Sequence, residues 1–387
     1  MDKILSFIAK ETNGKCYTSF KFCHDGVAVP SISYEDKIGD KISLKEYGET
    51  NHTPVTRNLS KLVKQIEGLP PLFNFFLDGS RRTYMIDDIE YQKKIFPIIA
   101  GQVGVGCCQR TDKSKFCKIA LEHNLVLSLP KYAHADGFKP ELFFNSLSEK
   151  INHISSLKKY NLKISKILPY ESDKGLQEGE TFENRGIAKI QDEMIECEKK
   201  IVSQLTAKNL LSHCSYLIKD GSLQYKPMKT GDFKEISKIR NNYRWVVGVS
   251  KQFNPELLKD KNDKSNASSI AHLSLYHRTP AFMYEPGDQF GDVRFAIWYV
   301  RIRDTKFTNT PFSGILKIEK ILMTGSESEK GLDTDEVDAI SANIINERNP
   351  VCYGNDNRWA NHLYPIYLTE KYIKSQYISD LHFLNLF

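Results

Sequence analysis

Two aspartates share a setting in this chain that suits the binding of a divalent cation. Asp78 closes the apolar run Leu72-Phe73-Asn74-Phe75-Phe76-Leu77, and Asp220 closes Cys214-Ser215-Tyr216-Leu217-Ile218-Lys219. Each is followed by Gly-Ser: Gly79-Ser80 and Gly221-Ser222. The first run reads as a strand buried on both faces, ending at Asp78, and the second repeats its pattern. A carboxylate desolvated at such a strand end needs a partner. Two such strands in one sheet could set two carboxylates side by side, where a divalent cation relieves their repulsion in a partly dry site. Metal-assisted chemistry on phosphate is the natural use of that arrangement. Arg81 and Arg82 bring positive charge close to Asp78. The alternative use of either aspartate is a cap on the next turn.

Two further residues join this group. A long helix is expected from about Asn184 to Leu211, with Ile187, Ile190, Met194, Ile201, Val202 and Leu205 at helical spacing. Glu198 falls in the middle of that apolar stripe, where a carboxylate calls for a cation or a metal. The competing reading is a stripe-edge glutamate that reaches solvent. Lys251 ends the strand-like Arg244-Trp245-Val246-Val247-Gly248-Val249-Ser250. It is placed to hold a phosphate oxygen or to steady an attacking water, or else it is a solvated strand-end lysine.

The elements that must position these residues follow a β-rich pattern, then alternate. Thr83–Tyr91 reads as a hairpin arm returning from Asp78, with further strands in 95–105 and 116–129, an antiparallel start to a mixed sheet. Gly101, Gly104 and Gly106 lack the spacing and the following helix of a dinucleotide fingerprint, and fit a strand with close backbone approach. Helical patterning runs from about Lys139 to Lys159, and residues 165–183 read as an exposed loop. A helix over Thr230–Asn241 precedes the Lys251 strand. Phe295–Arg303 and Gly314–Leu322 form a strand pair, Asp333–Glu347 is an acidic helix, and a final helix reaches about Leu381. Before residue 70, Cys16–Cys23 alternates like a strand and Ser60–Glu67 resembles a short helix.

Composition limits the function classes. The 387 residues, 40% apolar with no low-complexity tract, allow one large elaborated domain or two. No run of eighteen apolar residues is present, and the apolar stretch at the N-terminus is too short for a secretory signal. The expectation is a soluble cytoplasmic protein. Eight cysteines without a Cys-x-x-Cys pair or zinc spacing read as reduced thiols. A net charge of +6 permits an anionic partner without demonstrating one.

The order of parts resembles the NurA nucleases. The resemblance rests on Asp78-Gly79-Ser80-Arg81, the helix with an inward glutamate, and Asp220-Gly221-Ser222-Leu223. It continues with Val246-Val247-Gly248-Val249-Ser250-Lys251 and with Tyr364-Pro365-Ile366-Tyr367-Leu368 before a last helix, so it runs from about residue 72 to the end. It implies an α/β fold: a ribonuclease-H-like mixed sheet flanked by helices, similar to a Piwi domain. Residues 71–387 would form the nuclease domain, with a helical insertion at about 139–183, and residues 1–70 an N-terminal elaboration.

The resemblance further implies a manganese-dependent (or magnesium-dependent) DNA nuclease. Such an enzyme is a homodimer docked on a HerA-type hexameric ATPase, in end resection or anti-phage defence, with no membrane association. Carried over by position, Asp78, Glu198 and Asp220 would be the metal ligands, with Glu196 the rival to Glu198. Lys251 would stand at the site's edge and, with Arg81 and Arg82, compensate phosphate charge. Some members carry a histidine after the Tyr-Pro motif, where this chain reads Thr369-Glu370-Lys371-Tyr372. His362 is the candidate to replace it and to protonate the leaving oxygen. An inactive ribonuclease-H-like scaffold for an ATPase is the main alternative, and a Piwi-like guide-dependent nuclease ranks third because the chain lacks room for guide-binding domains.

Overall fold

In a computed structural model of the chain, the described residues are 4–17, 21–24, 42–43, 47–134, 139–224, 233–259, 265, 267–284, 293–308, 310–348 and 359–387. The frame is one large mixed sheet. Its first three long strands, Phe73–Tyr91, Lys94–Asp112 and Lys115–Pro130, form an antiparallel meander. The first of them also pairs in parallel with Tyr216–Asp220, which pairs in parallel with Val246–Ser250. Numbered along the chain, these five strands lie in the order third, second, first, fourth, fifth. That is the ribonuclease-H-like arrangement, and the fold class is α/β as expected. Beyond the fifth strand the sheet continues antiparallel through Ile315–Ile321 and Phe295–Arg301. Ile164–Tyr170 adds a parallel strand beside Lys115–Pro130.

The parallel step from the first to the fourth strand requires a crossover, and the helix Phe182–Ala207 lies on it. Its apolar stripe, including Ile190, Met194, Ile201, Val202 and Leu205, packs in one core with Phe75, Leu77 and Leu217. A second core holds the alternate strand residues Phe76, Ile218 and Val249 with Ile340, Ile344 and Ile366 from the helices Thr334–Asn346 and Tyr364–Ser375. Side chains alternate across a strand, so the sheet is covered on both sides. That is why its central strands read as unbroken apolar runs.

Three expectations need correction. The first strand does not end at Asp78. It continues to Tyr91, paired without interruption through Asp78↔Gly106 and Gly79↔Val105, and the hairpin turn comes at Gln92 and Lys93, both at positive φ. Residues 165–183 are not all loop: Ile164–Tyr170 buries Ile164, Ile167 and Tyr170 at a spacing of three that masks a strand. The C-terminal end holds two helices, Tyr364–Ser375 and Asp380–Leu384.

The first 70 residues supply Lys15–Cys16 and Phe22–Cys23 along the first long strand, and Arg57–Asn58 beside His277–Arg278. They also supply the helices Ile4–Glu11 and Ser60–Ile66. Residues 18–20 of the proposed Cys16–Cys23 strand, the start of the helix proposed from Thr230, and parts of the 252–270 connection lie outside the described residues. The close backbone approach expected at the central glycines is present. A Cβ at Gly101 would stand 2.8 Å from Ile190, and one at Gly104 2.5 Å from Ile373. No described helix is long and apolar enough to cross a membrane.

Candidate active site between two adjacent parallel strands

Parallel pairing between the first and fourth strands runs as far as Leu77↔Lys219. The next residue on each strand is Asp78 and Asp220, so the register itself sets the two aspartates beside one another. Alternation turns both toward the face covered by the helix Tyr364–Ser375. Asp78 is 5% exposed, and burial is the largest influence on it, followed by the charge of Asp220; together they hold its proton affinity well above the ordinary carboxylate range.

Lys251 lies beyond the fifth strand, and its ammonium contacts Asp220 Oδ2 at 2.8 Å. Burial alone would make that ammonium easier to deprotonate. The charges of Asp220, Glu370 and Asp78 outweigh it and hold the lysine above its ordinary value. Asn361 steadies this end of the strand: its side-chain amide donates to the Lys251 and Ile315 carbonyls, both at 2.8 Å. His362 follows Asn361 in the chain. It is buried, with its ring 5.7 Å from that of Tyr367.

Glu198 is buried, whereas Glu196 is 62% exposed and pairs with Lys199. The inward position read from helical spacing is thus that of Glu198. Its carboxylate lies on the helix side of the sheet, with Lys219 Nζ 3.1 Å from Oε2, and Lys219 also donates to the Asp220 carbonyl at 2.8 Å. Gly79 gives it room, since a Cβ there would stand 2.5 Å from Glu198 Oε1. Burial raises the Glu198 proton affinity, Lys219 opposes that, and Asp220 adds to it. The first strand therefore separates the acids: Asp78 and Asp220 on one face, Glu198 on the other. Arg81 and Arg82 divide likewise. Arg81 donates to Gln191 at 2.6 Å on the long helix, and Arg82 pairs with Asp380 at 3.0 Å.

Two residues escaped the sequence reading. Lys219 looked like the polar break in an apolar strand, yet it is the partner of Glu198. Glu370 acts on both Asp78 and Lys251. Pro365 in the first turn fixes where its helix starts, and Ile366, Thr369 and Ile373 mark the buried face. Glu370 lies four residues after Ile366, so that spacing was the available signal.

Hard oxygen donors of this kind suit Mg²⁺ or Mn²⁺. Among the described residues, no three histidine, cysteine, aspartate or glutamate side chains are grouped to hold a metal ion. The pair Asp78 and Asp220 is a two-carboxylate set, and magnesium sites that act on phosphate commonly take one or two protein carboxylates, the rest coming from substrate and water. The adjacent carboxylates of Asp78 and Asp220, both on the face covered by the helix Tyr364–Ser375, fit such an ion.

The chain is similar in structure to NurA nuclease. The crystal structure of the NurA nuclease from Sulfolobus solfataricus aligns over 85% of this chain and 89% of that one, with a TM-score of 0.38 and 9% identity. No protein-family model and no curated protein matches the chain. At that identity the NurA likeness leaves the chemistry to be argued from this chain's own residues.

Proposed function

We propose that the chain is a divalent-cation-dependent deoxyribonuclease that hydrolyses phosphodiester bonds at Asp78 and Asp220. The observation that carries this reading is the parallel register that sets carboxylates of two adjacent strands beside one another, with Asp78 raised by burial and by Asp220. Asp78 and Asp220 would hold the ion, Mn²⁺ or Mg²⁺, which when bound supplies Lewis acidity toward a phosphate oxygen and lowers the pKa of a water. Lys251 pairs with Asp220 and offers positive charge to the phosphate. Glu198, held by Lys219, adds negative potential from behind the Gly79 backbone. His362 would protonate the leaving oxygen, and Arg82, farther along the strand on the Asp78 face, would meet the DNA backbone, whereas Arg81 faces the long helix.

The family resemblance of the motifs, rather than this geometry, suggests a HerA-type hexameric ATPase as partner, a homodimer, and a role in end resection or defence.

The test is cleavage of end-labelled DNA during Mn²⁺ titration, with a chelator control. Asp78→Ala and Asp220→Ala should fold and lose cleavage; an Asp78→Ala protein that cuts at the wild-type rate removes the proposal. A second reading, an inactive scaffold, is favoured by one observation: Asp220 and Glu198 already have ammonium partners. It predicts no metal-dependent cleavage by the wild type.

A further inference from the structure

The turn that follows Asp220 is gripped from two strands away. Glu319, on Ile315–Ile321, is fully buried, and its Oε2 accepts from Ser222 Oγ and from the Leu223 amide, each at 2.8 Å. Its Oε1 accepts from Gln224 Nε2 at 3.3 Å and lies 2.8 Å from Lys317 Nζ. Val246–Ser250 lies between the Asp220 strand and the Glu319 strand, so this carboxylate reaches over the intervening strand. It does so at Gly248, its register partner, where a Cβ would stand 2.7 Å from Leu223 Cγ and 3.0 Å from the Gly221 carbonyl oxygen. Gly221, at φ +84°, turns the chain and donates to the Val249 carbonyl at 2.9 Å.

A buried ion pair is weak evidence of stabilisation, because well-packed apolar residues of the same volume often serve the sheet equally well. What apolar residues cannot do is bind Ser222 and Leu223. We infer that Glu319, held by Lys317, is a positioning residue: by gripping the Ser222–Leu223 turn it fixes where the Asp220 carboxylate stands relative to Lys251 and Asp78. This deepens the proposed function and rests on it, because the position of Asp220 matters to chemistry only if Asp220 serves the reaction. Glu319 itself touches no substrate.

The test compares full-length wild type, Asp78→Asn, and the double variant Lys317→Met/Glu319→Leu, which removes both charges of the pair. Four quantities are read: hydrogen exchange at the Leu223 amide, Mn²⁺ half-saturation by electron paramagnetic resonance without DNA, and kcat and KM for DNA cleavage. The double variant should fold with near-wild-type Tm and lose protection at Leu223. Its Mn²⁺ affinity and kcat should fall by about 10–100-fold, with KM little changed. A folded double variant with wild-type Mn²⁺ affinity and kcat overturns the inference, whatever Asp78→Asn does. Should the double variant not fold, Ser222→Ala removes one grip alone, and wild-type values there overturn the inference equally. A wild type that binds Mn²⁺ without cutting DNA sinks the nuclease reading and leaves the Mn²⁺ measurement to decide this one. A wild type that does neither overturns both.

Discussion

Gly79 and Glu198 are complementary: the glycine lacks the atom that would collide with the glutamate, 2.5 Å from its Oε1. A side chain at 79 also meets Met194 Cγ at 3.1 Å, so both the glutamate and the methionine must shift. Gly79→Ala should lower stability by about 1–3 kcal/mol, the usual range for overpacking a core, and should part Glu198 from Lys219. Urea unfolding measures the first effect. The pairing is tested by whether Glu198→Gln, destabilising in the wild type, becomes neutral in the alanine background.

Asp78 binds its proton more tightly in the folded protein than in the unfolded chain, because burial and Asp220 disfavour its charge. Between the ordinary carboxylate value and the raised one, the native state holds more protons, so stability falls as pH rises through that window. Asp78→Asn removes the effect. It should gain stability on the wild type as pH rises from 3 toward 7, by about 1.4 kcal/mol for each unit of separation between the two values, and lose the advantage in acid. Parallel pH profiles of the two proteins would refute this. Added Mn²⁺ should stabilise the wild type at neutral pH and leave the asparagine variant unmoved.

Much of this site was legible because strand periodicity and helical periodicity each point side chains in known directions. Asp78 and Asp220 stood out as acids after apolar runs, and the inward position of Glu198 followed from Met194 and Ile201. What the spacing along one chain does not carry is which face of a sheet a neighbour occupies. The chain after Asp78 read as reversing into a hairpin arm, whereas here Gly79 makes room for a helix inside a continuing strand. Lys219, Glu319 and Glu370 were hidden for a related reason. The groups they act on, Glu198, the Ser222–Leu223 turn and the Asp78–Lys251 pair, lie on other elements, and in sequence each is merely one charge beside another.

Lys251 opposes the charge of Asp78, Asp220 and Glu370. Its stabilising contribution should be complete below the ordinary lysine value and fade as pH rises through its higher folded value. At neutral pH, Lys251→Met leaves Asp220 without its ammonium partner, and breaking a buried pair in this way costs about 3–5 kcal/mol. The low end is expected, since the Asp220 side chain keeps 17% exposure. Asp220→Asn in the same protein should restore part of the loss, because it removes the charge left over. Chemical denaturation of both variants decides the matter, and a double variant no more stable than Lys251→Met contradicts the pairing.

The N-terminal segment should be needed for the sheet and not for the chemistry. Glu49 and Arg278 are fully buried and joined by two contacts, at 2.9 and 2.7 Å, and Glu49 also accepts from the Ala281 amide at 2.9 Å. Asp338, on the helix Thr334–Asn346, completes the partners of Arg278 and is met by Arg57 at 3.1 Å. Residues from before position 70 thus close a charge network between the far strands of the sheet and a helix that covers them. Glu49→Ala leaves a guanidinium buried with one carboxylate instead of two, and should lower stability by about 3–5 kcal/mol. None of these groups touches Asp78 or Asp220 in the contacts described, so the surviving folded protein should cut DNA with unchanged kcat. Urea midpoints and cleavage rates measured on the same sample separate the two effects. A large fall in kcat without a fall in stability would tie this segment to the active site instead.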